Sequence, residues 1–331
     1  MTGGVPYLTF DSEEVPAGEA RARWAALIGA YDVDLPEGEA EEEFAVSSES
    51  WLVGDLLVTH GRLTPVELHR SRSRIENDGR DSFTFGLVTR GHLAGDFDGR
   101  ACDLRPGQVC AIDFARPWRA DAGPTEFILV AAPRAAVSAM GPHPVDLHGR
   151  RLDGATARIL VEHFVALVRH LPEARAEDAA VIRRSTLRMI AESLASLPPA
   201  EPLADGRVAY RARRHIEANL GSAALTPAAI GEALGVSRAT LYRAFRGSGG
   251  LANYIQRRRL EAAHMLLSDP RETRSLAELS LAYCFSSHAH FSTAFRRRFG
   301  YSPRDARDGT PLGGAGPEFR SWVLSLAGGG A

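Results

Sequence analysis

Thr226-Pro-Ala-Ala-Ile-Gly-Glu-Ala-Leu-Gly-Val-Ser237 returns 49 residues later as Ser275-Leu-Ala-Glu-Leu-Ser-Leu-Ala-Tyr-Cys-Phe-Ser286. Thr226 and Ser275 both stand where a helix N-cap belongs, and Pro227 suits the first helical position. Ser275 and Glu278 have capping-box spacing. Ile230 matches Leu279, Ala233 matches Ala282 and Val236 matches Phe285. Past the turn, Leu241-Tyr-Arg-Ala-Phe245 aligns with Phe291-Ser-Thr-Ala-Phe295 at an offset of 50, so the second turn carries one extra residue. Each copy is a short helix, a tight turn and a second helix, the helix-turn-helix arrangement that places its second helix in the DNA major groove. Tyr254, Ile255, Leu260, Ala263, Leu266 and Leu267 recur at helical spacing and predict one long helix joining the copies.

The charge distribution agrees with a polyanion-binding module. The 331-residue chain has a net charge of −2 and no Lys. Residues 207–307 hold 17 Arg against 7 acidic residues, a balance of +10, whereas residues 1–206 hold 21 Arg against 32 acids. A basic third on an acidic body suggests a nucleic-acid module attached to a part that need not touch nucleic acid. Three Cys in so long a chain form no disulfide framework. No apolar run is long enough for a membrane span and no secretory signal is visible, which predicts a cytoplasmic protein without membrane contact.

Two Pro-rich breaks divide the chain, Gly141-Pro-His-Pro144 and Leu197-Pro-Pro-Ala-Glu-Pro202. The expected organisation is a regulatory domain over 1–150, a helical linker or dimerisation region over 151–203, the double helix-turn-helix over 207–307, and a Gly-rich tail over 308–331. The fold class is α+β. Short β-favouring runs such as Trp51-Leu-Val53, Phe83-Thr-Phe-Gly-Leu-Val88 and Phe127-Ile-Leu-Val130 predict a small barrel or sandwich. Gly95-Asp-Phe-Asp-Gly-Arg100 predicts a hairpin, and Pro106-Gly107 the centre of a type II turn. Trp24, Leu27 and Ile28 predict a helix ahead of the strands. Leu160, Val161, Phe164, Val165, Leu167, Val168 and Leu171, then Val181, Ile182, Ile190, Leu194 and Leu197, predict two amphipathic helices that pack on a neighbouring domain or pair with a second copy.

Residues 207–307 resemble the DNA-binding domain of the AraC/XylS family of transcription regulators. The resemblance is carried by Phe285-Ser-Ser-His-Ala-His-Phe-Ser-Thr-Ala-Phe-Arg-Arg-Arg-Phe-Gly-Tyr-Ser-Pro303, with Arg259-Leu-Glu-Ala-Ala263 in the connecting helix. Cys284 stands where the family usually has Gly, which asks for a left-handed turn conformation, and Ala306 stands where an aromatic is common. Residues 40–140 resemble, more loosely, the cupin-like effector-sensing domain of many members, through Gly99, Leu104-Arg-Pro-Gly107, Ala111-Ile-Asp113 and Pro133-Arg134.

The resemblance and the helix geometry imply the same working residues. Ala239, Tyr242 and Arg243 of the first recognition helix face bases, with Arg243 able to bond a guanine edge in bidentate fashion. In the second helix Ala289, Ser292 and Thr293 take the matching positions, with His288 just ahead. Their small hydroxyls read bases weakly, so the second helix discriminates less. Arg238, Arg246, Arg296, Arg297 and Arg298 are placed for phosphates, which orient the protein without specifying sequence. Arg72, Arg74 and Arg90, near the strands, are candidates to pair with a carboxylate effector.

His288 and His290 do not share a helix face, and His60, His69 and His92 are scattered, so no metal, cofactor or catalytic constellation is expected. Cys102 and Cys110 read as inert strand cysteines or as a redox pair. The function implied is a DNA-binding regulator, by resemblance an activator, with double-stranded DNA, RNA polymerase and a small-molecule effector as partners, and a homodimer possible in principle. The alternative is a regulator whose first domain is a ligand-independent protein-interaction or dimerisation module. A sealed barrel favours that alternative; an open cavity with convergent polar groups favours the effector.

Overall fold

The computed structural model describes residues 4–16, 18–78, 80–140, 146–197, 206–245, 250–267, 272–299 and 301–307. The tail over 308–331 therefore lies outside the described residues, as does Arg246. The described chain falls into two compact units, residues 4–197 and residues 206–307.

The first unit is built on strands β1 (Tyr7–Asp11), β2 (Asp32–Asp34), β3 (Val46–Val53), β4 (Leu56–Leu63), β5 (Val66–Arg70), β6 (Ser82–Arg90), β7 (Leu93–Asp96), β8 (Ala101–Leu104), β9 (Gln108–Asp113), β10 (Trp118–Ala122), β11 (Thr125–Pro133) and β12 (Arg150–Leu152). Among the described residues they form a seven-stranded sheet, β1-β3-β4-β11-β6-β9-β12, and a five-stranded sheet, β2-β5-β10-β7-β8. All pairings between these strands are antiparallel. The side-chain period of two sets what each face buries. In β10, Trp118, Ala120 and Ala122 turn inward while Arg119 and Asp121 turn to solvent. Val46, Leu63, Ile112 and Phe127 of the larger sheet share one core with Val33, Leu68, Leu104 and Trp118 of the smaller, so the sheets pack face to face.

Local turn chemistry fixes the strand connections. Asp98 and Gly99 have φ of 55° and 89°, and Phe97 and Arg100 exchange backbone hydrogen bonds around them, closing β7 onto β8 with a two-residue turn. Gln108 N–H donates to the Arg105 carbonyl across Pro106 and Gly107, the predicted type II turn, with Gly107 at φ 80°. Helix α1 (Ala20–Ile28) carries Trp24 into the core and stops at Gly29 in the left-handed region. Helix α2 (Arg72–Asp78) links β5 to β6, and α3 (Arg134–Ser138) follows β11.

Two longer helices, α4 (Gly154–His170) and α5 (Ala179–Ala195), pack on each other and against the larger sheet. α4 buries Leu160, Phe164 and Leu167. On α5, Ile190 and Leu194 are buried, but Val181 is 55% exposed. It stands in the first turn of α5, away from that buried face.

The second unit is all-helical: α6 (Gly206–Ala218), α7 (Pro227–Leu234), α8 (Arg238–Ala244), α9 (Leu251–Leu267), α10 (Leu276–Ala282), α11 (His288–Phe299) and α12 (Pro303–Arg307). The side chains of Thr226 and Ser275 accept from the backbone N–H three residues on, and Ser275 and Glu278 close a capping box. Cys284, with φ 59°, takes the place that Gly235, with φ 66°, has in the first turn, and the extra residue of the second turn falls after it, at Ser286 ahead of the capping Ser287. Each copy has its own core. Ile230, Leu241 and Phe245 pack with Ile216 and Tyr254 in one; Leu279, Phe285, Phe291 and Phe295 pack with Leu260 and Ala263 in the other. α9 contributes to both, which is how one helix serves two motifs.

Candidate nucleic-acid interface and ligand cavity

In α8 the burial of Leu241 and Phe245 turns the opposite face outward. Arg238, Ala239, Tyr242 and Arg243 are all exposed there. Ala239, Tyr242 and Arg243 are spaced i, i+3, i+4 and therefore share a face; with Gly250 they line an open recess. The Arg238 guanidinium lies 5.1 Å from the centroid of the Tyr242 ring and donates to its hydroxyl at 3.1 Å. Tyr242 is thus held by its neighbour while Arg243 has no hydrogen-bond or ion-pair partner among the described residues. The Ser237 side chain caps the helix by accepting from Thr240 N–H.

In α11 the same logic buries Phe291, Ala294 and Phe295 and exposes His288, Ala289 and Thr293, with Ser292 half-buried. His290 Nδ1 lies 3.0 Å from the Ser286 hydroxyl, and its ring stands edge-on to Phe285. Arg296 and Arg297 are exposed. Arg298 is different: its Nη2 donates to Glu261 of α9 at 2.9 Å, with the side chain 19% exposed.

Glu261 also accepts from Arg258, a fully buried guanidinium that in turn holds Glu217 of α6 at 2.6 and 2.9 Å. Sequence reasoning missed this network. Its partners are up to 41 residues apart and carry no local pattern.

The first unit holds a partly open cavity of about 120 Å³ with Trp24, Leu27, Phe114, Phe127 and Leu129 among its walls. Tyr31 and Arg80 also line it. Burial lowers the Arg80 guanidinium to about 9, opposed by Asp78 and reinforced by Arg70 and Arg74, which still leaves it charged at neutral pH. Burial raises the Tyr31 phenol to about 12, so it stays a hydroxyl. None of Arg72, Arg74 and Arg90 lines this cavity. Arg72 and Arg90 are exposed, and Arg74 pairs with Asp32. Cys102 and Cys110 are buried on β8 and β9 with sulfurs 3.6 Å apart.

Among the described residues no helix is long and apolar enough to cross a membrane. Residues 10–195 match the family model of the AraC-binding-like domain, and residues 230–309 match that of a helix-turn-helix domain. The chain is 29% identical over 305 residues to the transcriptional activator NphR of Rhodococcus sp, covering 88% of this chain and 90% of that one. It is 39% identical over 83 residues to the HTH-type transcriptional activator RhaS of Escherichia coli, covering 24% and 29% of the two chains. The crystal structure of the AraC-like transcriptional activator CuxR superposes with a TM-score of 0.59 at 28% identity, over 78% of this chain and 94% of that one.

Proposed function

The chain belongs to the AraC family of transcription regulators, and from that premise we propose how its residues divide the work. It is a DNA-binding transcriptional activator with an effector-binding first unit and a helix-turn-helix second unit. α8 and α11 enter successive major-groove segments about one helical turn apart. Arg243 bonds a guanine edge, with Ala239 and Tyr242 against neighbouring bases; Ala289, Ser292 and Thr293, behind His288, contact the second segment. Arg238, Arg296 and Arg297 lie along the phosphates, and Arg298 serves first as the partner of Glu261.

The observation that carries this reading is the free Arg243 guanidinium on the exposed face of a capped helix, in a region of net charge +10. Binding of the full-length protein to fragments of its own promoters across a salt series tests it. Arg243→Ala is expected to lose about 1–3 kcal/mol on the cognate site and to discriminate less between sites. Arg297→Ala weakens every sequence alike and flattens the salt slope by about one phosphate contact. Equal effects of the two variants on all sequences would remove Arg243 from base reading.

The cavity is the effector site, and ligand occupancy shifts the population of activating states. It supports an effector over a ligand-independent module, because polar side chains, Arg80 and Tyr31 among them, share its walls with apolar ones. Activation proceeds through RNA polymerase, in the cytoplasm, and the protein acts by binding and not by catalysis. Ile159 on α4 and Val181 on α5, 59% and 55% exposed, support a second copy docking along these helices.

A further inference from the structure

The charges around the cavity do not balance. Arg70 spends its guanidinium on Asp78, at 2.6 and 2.8 Å, and on the Phe114 carbonyl at 2.7 Å. Arg74 takes Asp32. Arg80 is left with a share of an occupied carboxylate: its Nε lies 3.7 Å from Asp78 and makes no hydrogen bond. Its Nη2 alone is engaged, donating to the Ile28 carbonyl at 2.6 Å.

Three guanidiniums thus meet two carboxylates, and the one in excess is 89% buried, with 11% of its side chain exposed. The Tyr31 hydroxyl has no hydrogen-bond partner among the described residues. The acid on the wall itself, Asp55, is neutralised by Arg183 of α5 through contacts of 2.5 and 2.8 Å. A buried cation with unspent donors costs free energy until an anion reaches it.

We propose that the cavity takes a compact organic monoanion, a ring-sized hydrocarbon bearing one carboxylate that accepts from Arg80 and Tyr31. The hydrocarbon packs on Trp24, Leu27, Phe127 and Leu129. A ring-sized group suits the space, since about 120 Å³ compares with the roughly 150 Å³ cavity that admits benzene. Ser48, Ser50, Thr59, Ser82 and Thr84 also contribute to the walls, but none of them carries a charge to meet an anion. A dianion leaves one charge unmatched, because the surplus is a single guanidinium. This assignment rests on the cavity being the effector site, and it fixes the chemistry that site selects.

Calorimetric titration of the full-length protein tests it with benzoate, phenylacetate and cyclohexanecarboxylate, the neutral benzamide and the cationic benzylamine. At least one carboxylate is expected to bind, with benzamide about 10- to 100-fold weaker, the range for losing a charged hydrogen-bond partner. Arg80→Gln and Tyr31→Phe each weaken the carboxylate. Tyr31→Phe guards against misfolding, since its hydroxyl has no bond to lose.

Benzamide or benzylamine binding as well as the best carboxylate overturns the proposal, as does the absence of carboxylate binding up to about 10 mM. Leu129→Trp, which fills the cavity, separates two kinds of failure. If a neutral or cationic probe binds and Leu129→Trp abolishes it, the effector site stands and the anion falls. If no probe binds and Leu129→Trp leaves promoter activation unchanged, the effector site falls with it.

Discussion

The two helix-turn-helix copies share a pattern and spend their residues differently. The first has a short recognition helix, Arg238–Ala244, anchored by Leu241 and by Phe245, whose ring stands edge-on to Tyr254 at 5.0 Å. The second has a longer one, His288–Phe299, in which Phe291 meets Phe295 edge-on, Phe295 meets Phe299 at a tilt, and His264 lies on Phe299 at 4.5 Å. Arg298 of the second copy is tied to α9, whereas Arg243 of the first is free. Each copy keeps a core of its own, and the two differ in which arginine of the recognition helix is tied down and which is left exposed. A duplicated motif can relax a demand in each copy because the shared helix α9 holds both at a fixed spacing.

The largest effect is expected where the copies are joined. Arg258→Ala strips Glu217 of its guanidinium and leaves Glu261 with Arg298 alone, and should cost about 3–5 kcal/mol. Urea unfolding of the full chain reads it, with both copies melting together; loss of only one copy would show that α9 does not couple them.

Next comes reading. Arg243→Ala should lose about 1–3 kcal/mol of cognate binding, and Thr293→Ala less than about 1 kcal/mol. Equal losses would break the division of labour between the copies.

Capping sharpens the comparison on the stability side. Ser275→Ala dismantles a capping box and should cost more than Thr226→Ala, which removes a single cap worth about 1 kcal/mol. The smallest effect is a gain. Cys284→Gly relieves a left-handed residue worth about 1–2 kcal/mol, less the entropy Gly loses on folding, for a net stabilisation of about 0.5 kcal/mol in thermal melts.

What could be read from the sequence was what is encoded locally. The repeat, its caps, the turn at Cys284, the Asp98-Gly99 hairpin and the Pro106-Gly107 turn all depend on residues within a few positions of one another. The exposed faces of α8 and α11 followed from the spacing of Leu241, Phe245, Phe291 and Phe295. The partners of the arginines did not follow. Arg80 meets Ile28 across 52 residues and Arg298 meets Glu261 across 37, and no period or motif announces such encounters. Residue type alone therefore pointed to Arg72, Arg74 and Arg90, while the fold turns Arg80 toward the cavity.

The most direct test is selection of binding sites by the full-length protein from randomised duplexes, repeated with Arg243→Ala. Two preferred blocks with centres about 10–10.5 base pairs apart are expected, and Arg243→Ala should relax one block and spare the other. A single block, or a relaxation spread evenly over both, would contradict a protein that reads DNA with two unequal copies of one motif.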